Sequence, residues 1–257
     1  MSIHPTAVID TTAKLGENIE IGPYSVIGPG VEIGAGSIIG PHVVINGPSK
    51  IGSDNHIFQF ASIGEIPQDK KYHGEDSVLE IGDRNHIREF VTINRGTADG
   101  GGVTRIGSDN WLMAYIHIAH DCIIGNNIIF SNGASLAGHV TVDDYAILGG
   151  FTLVHQFCHI GSHAFCGMGS AVSKDVPPYM IVNGNPSHPH GLNMEGLKRR
   201  EFSKESLKSL RDAYKLVYRQ GLTLEEAMPK LEQLAESCQE VIYFMDFIKN
   251  SSRGIIR

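Results

Sequence analysis

The sequence predicts an all-β left-handed parallel β-helix of hexapeptide repeats over residues 1–190, followed by a C-terminal α-helical domain over residues 191–257. Two observations predict this architecture. A branched aliphatic residue recurs at every sixth position for most of the first two-thirds of the chain, and a three- and four-residue period replaces it after Gly191. A period of six fits neither an amphipathic helix nor a two-faced strand, so the chain must turn a corner every six residues.

The hexads run in one phase from Ile3 to Ile93, apart from one polar interruption, and after a shift of one residue from Ile106 to Val172. Of these 26 positions, 24 are Ile, Leu or Val. Three hexads make one coil, in which each strand pairs with its counterparts at about 4.8 Å and the aliphatic side chain points to the axis of a three-sided prism. Such a ladder indicates structure alone, and a purely structural scaffold would fit it equally well.

Two segments interrupt the hexads. Residues 65–74 are too polar to form a prism wall, so we expect a protruding loop whose Asp69 and Lys71 are available for binding. Residues 95–102 contain four glycines, and we expect a flexible or merely permissive surface loop there.

The C-terminal segment has the pattern of a small helical domain. Leu207 and Leu210 begin a three- and four-residue period, and Thr223 with Glu226 forms a capping box that predicts the start of a second helix. Residues 191–257 hold 12 Lys+Arg against 10 Asp+Glu, whereas the whole chain has a net charge of −7. A solvated face and a docking site for an acidic partner are equally compatible with one basic row, which consists of Lys204, Lys208, Arg211, Lys215 and Arg219.

Composition favours a cytoplasmic enzyme. The chain starts without a charged and apolar leader, and no segment approaches the length that spans a bilayer, so we expect neither secretion nor an integral membrane segment. The four cysteines form no CxxC pair, which is typical of buried thiols in a reducing compartment. We expect no nucleic-acid partner.

Histidines cluster where the coil arithmetic can locate them. Steps of 18 from His120 reach Gly138 and then Gln156, so these three residues should form one column. A neutral imidazole suits general-base work, and a nearby glycine N–H can stabilise an oxyanion, which together indicate acyl transfer. The competing chemistry is a metal-dependent hydratase site. The histidines around the column are His117, His139 and His155, and a metal could take His117, His120 and His139 as ligands.

Longer strings of residues resemble one family closely. The segments Ile116–Cys122, Leu136–Val140, Val154–Cys158 and Asn193–Arg200 are similar to those of the UDP-N-acetylglucosamine O-acyltransferases that begin lipid A synthesis in Gram-negative bacteria. The resemblance covers essentially the whole chain. It implies a homotrimer, with acyl carrier protein as donor, UDP-N-acetylglucosamine as acceptor and no cofactor.

The resemblance also implies roles for individual residues. His120 would be the general base for the sugar 3-hydroxyl, Asp121 would orient it, and the Gly138 N–H would form the oxyanion hole. The substrate-binding positions would comprise an acyl and sugar group, Asp69, Lys71, His117, His139 and His155, and a nucleotide group, Gln156, Asn193, Glu195, Arg199 and Arg200. In this setting the acidic carrier protein favours docking as the role of the basic row.

Met168 departs from the glycine found in family members that select longer chains, so the resemblance implies a shortened pocket. Met168 lies 48 residues after His120, an axial offset of about 13 Å, which would suit a 3-hydroxyacyl chain of about ten carbons. A methionine packed at the trimer seam is the alternative. The sister enzyme, a UDP-sugar N-acyltransferase of the same pathway, is the alternative for the reaction, because spacing cannot distinguish an oxygen from a nitrogen acceptor.

Overall fold

The computed structural model describes all 257 residues, and it confirms the left-handed parallel β-helix with C-terminal helices. Twenty-eight short strands, β1 to β28 in chain order, form the three walls of a prism. Sheet 1 contains Ser2–Ile3, Glu20–Ile21, Ile38–Ile39, His56–Ile57, His86–Ile87, Trp111–Leu112, Ile129–Phe130, Ile147–Leu148, Phe165–Cys166, Met180–Asn183 and His188–Leu192. Sheet 2 contains Val8–Ile9, Val26–Ile27, Val44–Ile45, Ser62–Glu65, Thr92–Asn94, His117–Ile118, Ser135–Leu136, Leu153–Val154 and Ala171–Val172. Sheet 3 contains Lys14–Leu15, Val31–Ile33, Ser49–Ile51, Val78–Ile81, Val103–Ile106, Ile123–Ile124, Thr141–Val142 and His159–Ile160.

The aliphatic ladder fills the prism axis as the hexads predict. Ile57, Ile63 and Ile93 are fully buried, and Phe130, which replaces an aliphatic residue, is buried as well. Equivalent residues pair in parallel one coil apart, as between Ile118 and Leu136. The ladder is open only at its N-terminal end, where Ile3 is 38% exposed.

Both interruptions lie at the same corner of the prism, the connection from sheet 2 to sheet 3, here called corner 2/3. The first leaves β11 (Ser62–Glu65) and enters β12 (Val78–Ile81), and the second leaves β14 (Thr92–Asn94) and enters β15 (Val103–Ile106). They lengthen two coils, because Ile63 pairs with Ile93 and Ile93 with Ile118. The 18-residue step from Ile63 to Ile81 is therefore not a coil, although it preserves the phase of the hexads.

The outward faces of the three sheets differ in chemistry. In the N-terminal half of sheet 3 the outward side chains alternate in charge, and Lys14 pairs with Glu32 at 2.6 Å. Sheets 1 and 2 instead leave apolar side chains exposed, among them Trp111 (40% exposed) and Leu153 (55%). The alternating column of sheet 3 consists of Lys14, Glu32, Lys50, Glu80 and Arg105.

The strands end later than the hexads. An antiparallel hairpin of β27 (Met180–Asn183) and β28 (His188–Leu192) continues sheet 1 after Val172, and it carries no hexad signal. Four helices follow it: α1 (Met194–Arg199), α2 (Lys204–Tyr218), α3 (Leu224–Ala235) and α4 (Gln239–Asn250). None of the helices is both long and apolar enough to cross a membrane.

The helices pack on the C-terminal coils of the prism. The predicted capping box at Thr223 is confirmed, and the apolar period of α2 is buried at Leu207 and Leu210. Tyr243 of α4 donates to Oδ2 of Asp143 at 2.6 Å, which fixes that helix against sheet 3. All five members of the basic row on α2 and its C-cap are exposed, and the four cysteines are free and buried, as predicted.

Candidate active site

Three consecutive levels of corner 2/3 form the candidate active site. The lowest level is the loop of residues 66–77, the next is the loop of residues 95–102, and the third is the turn of residues 119–122 between β17 (His117–Ile118) and β18 (Ile123–Ile124). Because β11, β14 and β17 are hydrogen-bonded in that order, the three connections are stacked.

His120 and Asp121 form a dyad in the third of these turns. Nδ1 of His120 lies 2.7 Å from Oδ2 of Asp121. A carboxylate can only accept, so Nδ1–H donates and the Nε2 lone pair of the neutral ring stays available. Asp121 adopts a positive φ of 60°, which turns its side chain back toward the ring and under the protein surface, where only 1% of it is exposed.

The glycine-rich loop is ordered by Asp121, and our expectation of a flexible or permissive loop was wrong. Thr97 is buried; its N–H donates to Oδ1 of Asp121 at 2.7 Å and its hydroxyl donates to Oδ2 at 2.6 Å. Residues Ala98–Gly100 then form a 3-10 turn. The base of the loop is held by Arg95, whose guanidinium donates to the carbonyls of Gly47 and Gly64.

The column predicted by 18-residue steps is present. The N–H of His139 donates to the carbonyl of His120, and the N–H of Phe157 donates to that of Gly138, which places Gly138 one coil above His120. A Cβ on Gly138 would lie only 2.6 Å from Cε1 of His120, so the imidazole packs directly on this glycine. The N–H of Gly138 donates to no acceptor within the chain.

The first loop brings Asp69 to His120. Oδ2 of Asp69 lies 4.0 Å from Nε2 of His120, and Oδ1 accepts the Lys71 N–H at 3.0 Å. That backbone hydrogen bond, aided by the nearby imidazole, lowers the pKa of the Asp69 carboxyl. The Lys71 side chain is exposed at the mouth of the same region.

His117 and His139 flank the dyad as neutral side chains. Burial is the largest cause that lowers the pKa of each, and His120 lowers both further. His117 shares a hydrogen bond of 2.8 Å with the Thr92 hydroxyl, and the ring of His139 meets that of His120 edge-on at 5.2 Å. His155 and Gln156 lie two coils above His120 at the same corner, where both are exposed.

The remaining predicted residues lie on other corners of this chain. Met168 is in a turn from sheet 1 to sheet 2 and is 78% exposed. Helix α1 lies against the corner from sheet 3 to sheet 1, because its N-cap Asn193 donates to the carbonyl of His163. The guanidinium of Arg200 covers the ring of Tyr145 at 4.0 Å. Also exposed on α1 are Glu195, which pairs with Lys198, and Arg199.

His120, Asp121 and His139 are close enough to hold a metal ion, since one ligand atom of each lies within 4.8 Å of the others. This set differs from the three-histidine set predicted from the sequence, because Asp121 takes the place of His117. The carboxylate of Asp121 already accepts three hydrogen bonds, two from Thr97 and one from His120. Its surroundings are those of an oriented hydrogen-bond acceptor.

Sequence reasoning missed Thr97 and Thr92 as neighbours of the histidines. The column rule finds neighbours only where coils have 18 residues, and the pairing of Ile93 with Ile118 spans 25. The available signal was the location of both interruptions immediately before the histidine turn, at the same step of the hexad pattern.

Family comparisons agree with this geometry. A family model described as UDP N-acetylglucosamine O-acyltransferase, domain 2, matches residues 175–256, and a model of bacterial transferase hexapeptide repeats matches residues 12–47 and 104–138. Among curated relatives, the acyl-[acyl-carrier-protein]–UDP-N-acetylglucosamine O-acyltransferase of Thiobacillus denitrificans is 61% identical over 256 residues, covering 100% of this chain and 99% of the relative. The enzyme of the same name from a Janthinobacterium species is 57% identical, with 99% of each chain covered.

Solved structures give the same result. The UDP-N-acetylglucosamine acyltransferase of Francisella novicida superimposes with a TM-score of 0.97 at 46% identity, covering 99% of this chain and 94% of the other. The UDP-N-acetylglucosamine O-acyltransferase of Moraxella catarrhalis gives the same TM-score and identity, with both chains fully covered. The chain is therefore an acyltransferase and belongs to the family of UDP-N-acetylglucosamine O-acyltransferases.

Proposed function

We propose that this protein transfers a 3-hydroxyacyl chain from acyl carrier protein to the 3-hydroxyl of UDP-N-acetylglucosamine, the first step of lipid A synthesis, in the cytoplasm. The observation that carries the proposal is the dyad: Nδ1 of His120 is engaged by Asp121 at 2.7 Å, and Nε2 is free. The ring packs on Gly138, whose N–H has no partner in the chain.

The dyad and the glycine match the needs of thioester acyl transfer. The sugar 3-oxygen attacks the thioester carbonyl carbon while its proton passes to Nε2 of His120. The carbonyl oxygen gains negative charge and accepts a hydrogen bond from the N–H of Gly138. Collapse of the tetrahedral intermediate breaks the carbon–sulfur bond, and the departing thiolate of the phosphopantetheine takes the proton from His120. The step balances without a cofactor.

The location of the other residues supports a site shared between subunits of a homotrimer. His120 and its partners occupy corner 2/3, whereas Met168 and helix α1 occupy the other two corners. Exposed apolar side chains on sheets 1 and 2, against the charged column of sheet 3, favour burial of the first two walls between copies. In such a trimer, Asp69, Lys71, His117, His139 and His155 would contact sugar or acyl groups, and Gln156, Asn193, Glu195, Arg199 and Arg200 the nucleotide.

Charge supports acyl carrier protein as the donor. The five exposed cations of the basic row lie on the C-terminal helices, in a chain whose net charge is −7. A concentrated positive face on a negatively charged protein suits an acidic partner.

The decisive experiment is mass spectrometry of the product formed from UDP-N-acetylglucosamine and a panel of 3-hydroxyacyl carrier proteins. We expect an ester at the 3-position, formed most rapidly from a carrier with a chain of about ten carbons. In the matched variant His120→Ala, turnover should fall by about 10²- to 10⁴-fold while the fold is retained. An unmodified sugar nucleotide, transfer to an amine acceptor only, or substantial activity in the variant would each contradict the proposal.

A further inference from the structure

We infer that the glycine-rich loop of residues 95–102 is part of the catalytic apparatus, and that Thr97 is a positioning residue which acts on His120 through Asp121. The inference rests on the proposed function, since it assigns a role in the same reaction. It begins from the distribution of donors around the buried carboxylate. Oδ1 accepts the Thr97 N–H at 2.7 Å, and Oδ2 accepts both the Thr97 hydroxyl at 2.6 Å and Nδ1–H of His120 at 2.7 Å.

Thr97 fixes both oxygens of Asp121 with one residue. A carboxylate held at a single oxygen can rotate about its terminal bond, whereas two donors from Thr97 fix its plane. The third donor, Nδ1–H of His120, then meets Oδ2 in a defined direction, which in turn sets the direction of the Nε2 lone pair. The N–H of Asp121 itself donates to the Thr104 hydroxyl at 2.8 Å, so the backbone of the residue is held from β15 as well.

Gly100 leaves the space that this arrangement needs. A Cβ on Gly100 would overlap the carboxylate of Asp121, so the 3-10 turn passes directly against the acid. Gly101, the next residue, has a φ of +87° and no atom within 4 Å of an added Cβ. The two neighbouring glycines therefore serve different purposes: Gly100 is small because of Asp121, and Gly101 is a glycine because of its backbone conformation.

The loop is anchored independently of Asp121. Arg95 is 9% exposed and binds the carbonyls of Gly47 and Gly64. The Asn94 side chain donates to the carbonyl of Ile66 at 2.9 Å, which joins this loop to the one that carries Asp69. Thr97 is thus presented by a fixed support.

The first test removes the Thr97 hydroxyl. In Thr97→Val the N–H donor stays and Oδ2 loses one of its two donors, so we expect kcat to fall about 10- to 100-fold with KM little changed, the scale of a hydrogen bond to a charged group. The acidic limb of the kcat/KM profile should move to higher pH, because a carboxylate with fewer donors holds the imidazolium more strongly. Thr97→Ser keeps the hydroxyl and should restore both.

A structural role alone would not move the pH profile. Thr152→Val is the matched control, because Thr152 is fully buried in the same prism and donates to the carbonyl of Gly167. It should lower the thermal midpoint and leave the acidic limb in place. A wild-type kcat and pH profile in Thr97→Val would overturn the inference.

The second test uses the two glycines and does not depend on Thr97. Gly100→Ala should displace the carboxylate and reduce kcat by at least about 10-fold. Gly101→Ala should destabilise the loop backbone and retain the wild-type pH profile. Equal activity of the two variants would overturn the inference, whereas substantial activity in His120→Ala would overturn the proposed function itself.

Discussion

Replacement of Met168 by a smaller residue should lengthen the acyl chain that the enzyme prefers. The proposed groove runs along the prism axis from His120. Between these residues the coils are uninterrupted, because His117, Ser135, Leu153 and Ala171 pair in successive steps of 18. The separation of 48 residues is therefore 2.67 coils, or about 13 Å along the axis.

The magnitude follows from the methylene groups that the shortened side chain admits. Each buried methylene is worth about 0.8 kcal/mol, so a chain that gains two buried methylenes gains about 1.6 kcal/mol, or about 15-fold in kcat/KM relative to the shorter chain. Met168→Gly and Met168→Ala should both shift the ratio of kcat/KM values by about this factor toward carriers two carbons longer. Met168 is 78% exposed in the single chain, so neither variant removes a core residue.

The assay is product formation from 3-hydroxyacyl carrier proteins of 8 to 16 carbons, an arbitrary series of about five lengths chosen to bracket the ten-carbon estimate. Val8→Ala is a matched control, because Val8 is an exposed aliphatic residue (62%) on the first coil of sheet 2, far from the candidate site. Its profile should equal that of the wild type. Unchanged selectivity in both Met168 variants would refute the argument and favour a methionine that only packs at a subunit seam.

Two further predictions concern pH and metal ions. Burial and the nearby Arg200 lower the pKa of His163 to about 4, whereas an unfolded histidine titrates near 6.5. The unfolded chain therefore binds more protons in this window, so the thermal midpoint should fall as pH drops from about 6.5 to 4; a melting series on His163→Asn should give a flatter dependence, and an identical slope would show that His163 is not responsible. Exhaustive dialysis against a chelator should leave the acyl-transfer rate unchanged, and loss of activity that added Zn²⁺ restores would instead favour a metal at His120, Asp121 and His139.

The sequence predicted the prism and the central column because both depend on strictly local spacing. Wherever a coil has 18 residues, the position of a residue fixes its neighbours, and His120 was placed beside Gly138 without further information. The pairing of Ile63 with Ile93 spans 30 residues, and that of Ile93 with Ile118 spans 25, so an insertion of unknown shape intervenes. Contacts made by the inserted residues, such as that of Thr97 with Asp121, depend on tertiary packing that no period records.

The hairpin of β27 and β28 was missed for a related reason. Its strands add to sheet 1 through backbone hydrogen bonds and not through the aliphatic ladder, so the hexad signal stops at Val172 while the sheet continues. The helices were predicted well, because a capping box and an apolar period are again local features of the chain. Placement of α1 at a different corner from His120 could not be read from residue spacing.

The two ends of the prism are unlike, and this difference has a consequence for how the molecule avoids polymerisation. At the C-terminal end the hairpin and helices cover the last coil, whereas at the N-terminal end the edge strands β1, β2 and β3 have no partner on one side. Each of these strands is two residues long, so each offers little backbone to an incoming chain. A molecule stripped of its helices would present open edges at both ends, and such units could add end to end into a filament; the helical segment therefore also acts as a stopper.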